Sequence, residues 1–217
     1  MNAIPSPSLN RRAGVDISVI VPVGPRHVDM RALHAEYRAS LQKTGRNVEY
    51  IYVVDGHFED VTTSISQLVA DGEPVIGVYL TRTFGESTAL MAGFEQASGD
   101  VIVTLPAYRQ IEADDIGKIL AALGPADIVV SHRWPRVGGV GERLRRGLFH
   151  SLVNSMTGQK LQDLGCSARA LKRQVFEEVV LYGDQHRLLP AIADRQGFRT
   201  VEVQVRQSPQ DRNEKGY

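Results

Sequence analysis

The sequence predicts an α/β fold, a mostly parallel central sheet flanked by helices, and three observations carry that prediction. Short apolar runs alternate with helical-period segments of about 10–15 residues, the order expected of βαβ units. One such run, Val101-Ile102-Val103-Thr104-Leu105, is too short and too β-branched for a helix. Turn residues punctuate the junctions, as in Gly24-Pro25, Asp55-Gly56 and Ser98-Gly99-Asp100.

The elements follow in order. Residues 1–15 carry Pro and Ser but no hydrophobic run, which marks a flexible leader rather than a signal peptide. Ile17 to Val23 is a buried strand. Val28 to Thr44 is a helix with Met30, Leu33, Tyr37 and Leu41 on one face. Val48 to Val54 is the second strand, a helix carries Val61, Ile65, Leu68 and Val69, and Val75 to Leu80 is the third strand. Thr83 to Gln110 is the stretch that organises the rest. It reads as a turn at Phe84-Gly85, then a helix with Leu90, Met91, Gly93, Phe94 and Ala97 on its apolar face. The strand from Val101 and the loop Pro106-Ala107-Tyr108-Arg109-Gln110 follow. Ligands of open α/β sheets bind outside the carboxyl ends of strands, so the chemistry is expected at that loop. An amphipathic helix near Asp114 to Leu123 and a strand from Asp127 to Ser131 complete the first part.

From Arg133 the texture changes. Arg133, Arg136, Arg143, Arg145 and Arg146 sit in a glycine-containing loop that leads into a helix with Leu144, Leu148, Leu152 and Met156 on its face. Thr157-Gly158 ends it, and Asp163-Leu164-Gly165-Cys166 follows. Helices are expected over Lys172 to Val180 and Gln185 to Gln196, a last strand over Thr200 to Val205, and a polar tail over 208–217. Residues 16–207 read as one domain, with halves at 16–131 and 132–207.

The 217 residues, 42% hydrophobic and 23% charged, suffice for one sizeable core. Lysine plus arginine equals aspartate plus glutamate at 25 each, which gives no argument for a nucleic-acid partner. The single cysteine, Cys166, excludes an internal disulfide and reads as a buried small apolar residue. With no run near the roughly 18 apolar residues of a membrane span, a cytoplasmic protein is expected.

These residues resemble the family 2 glycosyltransferases, in the branch that includes dolichol-phosphate mannose synthase and bacterial polyprenyl-phosphate sugar synthases. The resemblance runs over roughly residues 16 to 210. It rests on Ile17 to Val23 before a turn, Val53-Val54-Asp55-Gly56, and Leu80-Thr81-Arg82-Thr83-Phe84-Gly85 followed by Ala89, Gly93, Ala97 and Gly99-Asp100. Asp163-Leu164-Gly165-Cys166 and Leu181-Tyr182-Gly183-Asp184-Gln185-His186-Arg187 extend it. The resemblance implies a GT-A-like nucleotide-diphospho-sugar transferase fold, with 16–131 as the nucleotide-sugar half and 132–207 as the acceptor half.

The departures from the family pattern carry the chemistry. Tyr-Asn-Glu after the first strand stands here as Gly24-Pro25-Arg26. The metal motif Asp-Ala-Asp, followed by Leu-Gln, stands as Pro106-Ala107-Tyr108-Arg109-Gln110. A divalent cation needs oxygen ligands, and neither Pro106 nor a neutral Tyr108 supplies a carboxylate. No cofactor is therefore expected, and Mg²⁺ or Mn²⁺ only if other residues rebuild the site. Cations such as Arg26 and Arg109 are expected to stabilise the departing diphosphate instead.

The resemblance also implies residue roles. Pro22, Val23, Gly24, Arg26, Asp55, Arg82, Gly85, Tyr108, Arg109 and Gln110 fall on the donor side. Asp55 is either a contact to nucleobase or ribose or a turn aspartate before Gly56. Arg82 is either a nucleotide contact or a surface ion-pair partner. Asp163 is a general base for a hydroxyl acceptor, an orienter if the acceptor is an already anionic phosphate, or a plain turn residue. His186 and Arg187 stand near donor phosphates and acceptor, or at a helix start. Arg133, Arg136 and Arg143 match an acceptor-phosphate region, or a solvated charged face. The expected protein moves a hexose from a UDP- or GDP-sugar to a soluble or lipid-phosphate acceptor, the latter with a separate membrane partner. The alternative is a non-catalytic relative that binds a nucleotide sugar or a partner protein.

Overall fold

The computed structural model describes residues 11–135 and 161–212. Its strands are β1 (Ile17–Val23), β2 (Val48–Asp55), β3 (Val75–Leu80), β4 (Val101–Thr104), β5 (Ile128–Arg133), β6 (Arg169–Lys172) and β7 (Thr200–Val205). They form one sheet in the order β3-β2-β1-β4-β6-β5-β7. All neighbours pair in parallel except β6, which runs antiparallel to both β4 and β5. The α-helices are α1 (Met30–Gln42), α2 (Glu59–Ala70), α3 (Glu86–Gln96), α4 (Ile116–Ala122), α5 (Arg173–Glu178) and α6 (Leu189–Arg195).

Alternate residues along each strand feed two cores, one on each face of the sheet. Val19, Val21, Tyr52 and Val103 pack under α1, α2 and α4 through Leu33, Ile65 and Ile119. Ile20, Ile51, Val53 and Ile102 pack under α3, α5 and α6 through Leu90, Phe176 and Leu189. The sheet is thus covered on both sides, which is why its strands read as continuous apolar runs. Helix α1 starts where the Asp29 carboxylate accepts the Ala32 amide at 2.9 Å, a side-chain cap of one otherwise orphaned donor.

The order of elements up to β5 and the bounds of β1, β3 and β7 agree with the sequence reading. Strand β6 was not foreseen. Arg169, Ala170, Leu171 and Lys172 lack β-branched side chains, yet the slot between β4 and β5 accepts only a strand, and Ala170 and Leu171 are fully buried there. Tertiary context overrides local preference at such a position. The helix expected from Gln185 starts as a 3-10 turn, Gln185–Leu188, and becomes α-helical only at Leu189. Pro190 explains the delay, since proline lacks the amide that a helix interior needs and fits the first turn.

The described residues at 11–12 and 206–212 are tied to the rest of the fold by hydrogen bonds. Arg12 Nε pairs with Glu49 Oε2 at 2.8 Å, giving a counter-charge to a carboxylate buried beside Ser18 and the Ser98 amide. After β7, Arg206 to Ser208 zip along the loop that follows β4. The Glu112 amide donates to Arg206 O at 3.0 Å and the Ser208 amide to Gln110 O at 3.2 Å. The 3-10 turn Pro209–Arg212 then brings Asp211 to Arg26 and Arg133. The expected boundary at 131/132 falls inside β5, whose partner β7 belongs to the second half. The expected helix around Leu144 to Met156 lies outside the described residues. No helix among the described residues is long and apolar enough to cross a membrane.

Helix α3 lies close on the sheet because Gly93 lets it. A Cβ there would sit 2.5 Å from Ile20 Cγ2 and 3.1 Å from Val53 Cγ2. Alanine's helix preference over glycine, about 1 kcal/mol, does not offset the overpacking of a closed core. Gly93→Ala is expected to lower stability by a net of about 1–2 kcal/mol. Urea unfolding measures this directly, and a stabilised variant would show that α3 can move away at no cost.

Candidate active site at the strand ends

The carboxyl ends of β1, β2, β4 and β5 and the start of β6 open on the same edge of the sheet, with the loop after β3 beside them. Asp55 ends β2 and is buried. Its two oxygens accept the Phe84 amide at 2.7 Å and the Gly85 amide at 2.8 Å. Gly85, at φ 99°, takes a left-handed conformation that favours glycine and opens α3. Asp55 therefore fixes the loop that follows β3. On that loop, exposed Arg82 lies 4.8 Å from the Phe84 ring, whose side chain is also exposed.

The loop after β4 is pinned from several sides. The Val28 amide donates to Ala107 O at 3.0 Å, and Tyr37 Oη donates to Pro106 O at 2.8 Å. Buried Gln110 donates from Nε2 to Tyr108 Oη at 2.8 Å and to Gly165 O at 3.2 Å, while its Oε1 accepts the Ser167 amide at 2.8 Å. Arg26 lays its guanidinium 3.6 Å from the centre of the Tyr108 ring, a cation–π contact. Burial pushes the Tyr108 phenol up to about 12, against the opposing effect of Arg26, so it stays protonated. Arg109, expected beside Arg26, turns instead to Glu36 of α1, with Nη2 2.7 Å and Nε 2.9 Å from Oε1.

Arg133 at the end of β5 is held by carboxylates on two sides. Nε and Nη2 meet Asp163 Oδ2 and Oδ1 at 2.7 and 2.9 Å, and Nη1 meets Asp211 Oδ2 at 3.1 Å. Burial works against this charge, yet the hydrogen bonds it donates to Asp163 and the charges of both aspartates outweigh it and raise the guanidinium's pKa. Asp211 in turn accepts from Arg26 through Oδ1 at 3.0 Å and through its carbonyl, and from Gln207 Nε2 at 2.5 Å. Asp211 had no signal in the sequence, since it lies 185 positions from Arg26 in a polar run.

A second cluster surrounds His186. Its Nδ1 lies 3.3 Å from Ser87 Oγ, its amide donates to Ser87 Oγ at 3.0 Å, and its Nε2 lies 3.3 Å from Glu86 Oε2. Arg169 Nη1 donates to His186 O at 2.5 Å, while its buried Nε has no hydrogen-bond partner among the described residues. Burial lowers the pKa of Arg169. Glu86, Ser87 and Arg169 were not singled out in the sequence, although Glu86 and Ser87 stand next to the quoted Phe84-Gly85. Arg187 is exposed beside this cluster. Pro22 and Val23 lie within β1, with the Val23 side chain in the core, and Gly24 O lies 2.9 Å from His27 Nδ1. Cys166 is buried, and burial pushes its thiol up to about 11. Arg136 and Arg143 lie outside the described residues.

The residues present do not fit a hard divalent cation at the loop after β4. Pro106, Ala107 and Tyr108 bring no carboxylate, and the oxygens of Asp55, Asp163 and Asp211 face amides and guanidinium groups. Among the described residues no three His, Cys, Asp or Glu side chains converge.

The chain matches the description Glycosyl transferase family 2 over residues 18–180. It belongs to that family. Among curated relatives, the undecaprenyl-phosphate 4-deoxy-4-formamido-L-arabinose transferase of Aeromonas hydrophila is 29% identical over 93% of this chain and 62% of its own length. The enzyme of the same name from Pseudomonas aeruginosa is 30% identical over 93% of this chain and 60% of its own. The chain thus spans about three fifths of the length of these relatives. Among solved structures, glucosyl-3-phosphoglycerate synthase from Mycobacterium tuberculosis, in complex with Mn²⁺ and UDP-glucose, superposes with a TM-score of 0.63. It is 21% identical over 90% of this chain and 71% of its own. That likeness establishes the GT-A fold of this family 2 chain.

Two outcomes follow for this site. Asp163→Ala leaves the buried Arg133 charge short of its main partner and is expected to cost about 3–5 kcal/mol in urea unfolding. Replacing both members, as Arg133→Met with Asp163→Leu, should cost much less than the single change. A cost below about 1 kcal/mol for Asp163→Ala would mean the pair does not hold the site together. The second concerns pH. Burial, as the largest effect, lowers the pKa of His34 and of His186 from 6.5, with Glu73 and Glu86 opposing. The unfolded chain then binds more protons than the folded one just below pH 6.5, so stability falls as pH drops through that window. Melting at about pH 7.5 and about pH 5 should show this loss, and His34→Gln with His186→Gln should flatten it.

Proposed function

We propose that this chain transfers a sugar from a nucleotide sugar to a polyprenyl phosphate without a divalent metal. The observation that carries this reading is Arg26 lying over Tyr108 at the strand-end loop, a guanidinium against the position where family members carry metal-binding carboxylates. Family membership and the acceptor in the relatives' names support the reaction class. The UDP-glucose in the related fold supports the donor class.

In this reading an oxygen of the acceptor phosphate attacks the anomeric carbon while the bond from that carbon to the nucleoside diphosphate breaks. The departing diphosphate keeps the electron pair. Arg26 supplies positive charge where negative charge grows, at the end of a low-dielectric sheet edge. The loop fixed by Asp55, with Arg82 and Phe84 exposed on it, offers the nucleoside a flat cationic and aromatic surface. Arg187 and the His186 cluster face the phosphates from the other side. An acceptor phosphate is already anionic and needs no general base. Asp163, bound to Arg133, accordingly acts as a positioning residue.

The replaced loop carboxylates also favour a second reading, a non-catalytic relative that binds the nucleotide sugar only. Turnover separates the two. With a panel of UDP- and GDP-sugars and undecaprenyl phosphate, product is expected at equal rates in EDTA and in Mn²⁺. Arg26→Ala should lower kcat/KM by about a hundredfold. Strict dependence on Mn²⁺ would remove the arginine mechanism. Binding without turnover would favour the second reading.

A further inference from the structure

We propose that Arg26 and Arg133 together form one phosphate-binding site and that the chain's own Asp211 carboxylate fills it in this structure. Asp211 Oδ1 lies 3.0 Å from Arg26 Nη2, and Oδ2 lies 3.1 Å from Arg133 Nη1 and 2.5 Å from Gln207 Nε2. A carboxylate and a phosphate present the same pair of oxygens to guanidinium donors. Exchanging one for the other leaves those N–H groups satisfied. The charges also match. Asp163 meets the Arg133 guanidinium through two hydrogen bonds, and Asp211 adds a second carboxylate between Arg133 and Arg26.

The place argues against a purely structural pair. The site stands at the carboxyl ends of β1 and β5, where sheets of this kind receive anionic ligands, and it lies against Tyr108 on the loop after β4. Up to Ser208 the chain is zipped to the loop after β4, through Glu112 and Gln110. Beyond it, the 3-10 turn Pro209–Arg212 brings one buried carboxylate to the site. Releasing the turn about Ser208 breaks no strand pairing; it breaks the hydrogen bonds that Asp211 accepts from Arg26, Arg133 and Gln207, and an incoming phosphate replaces those of its carboxylate. An incoming phosphate competes with Asp211, and its apparent affinity falls by the fraction of molecules in which the turn is closed.

The site deepens the reading above, which decides only whether the donor diphosphate or the lipid phosphate brings the anion. Binding of inorganic pyrophosphate, in EDTA, is measured by calorimetry on the full chain. Asp211→Asn is expected to bind about tenfold more tightly than the unsubstituted chain, and adding Arg26→Gln should abolish the gain. Equal or weaker binding by a folded Asp211→Asn protein overturns the proposal, as does a gain that survives Arg26→Gln.

A measurement on the unsubstituted chain covers a variant that does not fold. Pyrophosphate should speed tryptic cleavage after Arg212 by releasing the turn, and unchanged or slower cleavage overturns the proposal. Repeating the calorimetry with UDP and with farnesyl phosphate assigns the anion to donor or acceptor, according to which one gains. A pyrophosphate gain with no sugar transfer keeps the site and removes the transferase reading. Transfer without a gain does the reverse.

Discussion

The buried guanidinium of Arg133 is the tie on which the strand-end architecture depends. It comes from the last residue of β5, and its partners come from the segment leading into β6 and from the turn after β7. One cation therefore fixes the relative positions of three pieces of chain that no hydrophobic contact could place so narrowly, because carboxylate and guanidinium meet only in a few geometries. Removing the charge of Asp163 leaves the buried guanidinium short, and that asymmetry makes the Arg133–Asp163 pair rigid rather than merely attractive. Asp55 repeats the principle on the other side, where one carboxylate spends both oxygens on backbone amides and so sets a loop.

Apolar patterning made most of the fold legible. Ile17 to Val23 and Thr200 to Val205 could hardly be anything but strands, and the helical faces of Leu33, Tyr37 and Leu41 or of Ile65 and Leu68 declared themselves by spacing. Strand β6 was hidden because Ala170 and Leu171 say nothing locally, and only the gap between β4 and β5 makes them a strand. The site was legible where it rests on loops next to patterned strands, as at Asp55, Tyr108 and Gln110. It was illegible where it rests on distance. Asp211 reaches Arg26 and Arg133 only once β7 has returned the chain to the sheet edge, and no local window contains that fact. Arg109 shows the opposite failure, a cation in the expected loop whose side chain turns away to Glu36.

At the loop after β4 this chain brings together a cation, an aromatic ring and an amide. Arg26 lies over the Tyr108 ring, and Gln110 is hydrogen-bonded to the same phenol. This arrangement is preorganised by its own packing: Tyr37 holds the Pro106 carbonyl, and the Val28 amide holds Ala107. In the proposed reading, these groups supply the positive potential beside a departing diphosphate.

Strand β6 joins two parallel blocks, β3-β2-β1-β4 on one side and β5-β7 on the other, through four residues. The same four residues begin with Arg169, which reaches the carbonyl of His186. Side chains alternate between the two faces of a sheet, so a slip of one residue would carry Arg169 to the opposite layer and turn Ala170 toward the His186 cluster. The seam of the sheet therefore works as a ruler: whatever sets the pairing of β6 also sets which chemical groups stand beside His186, and neither can be altered alone.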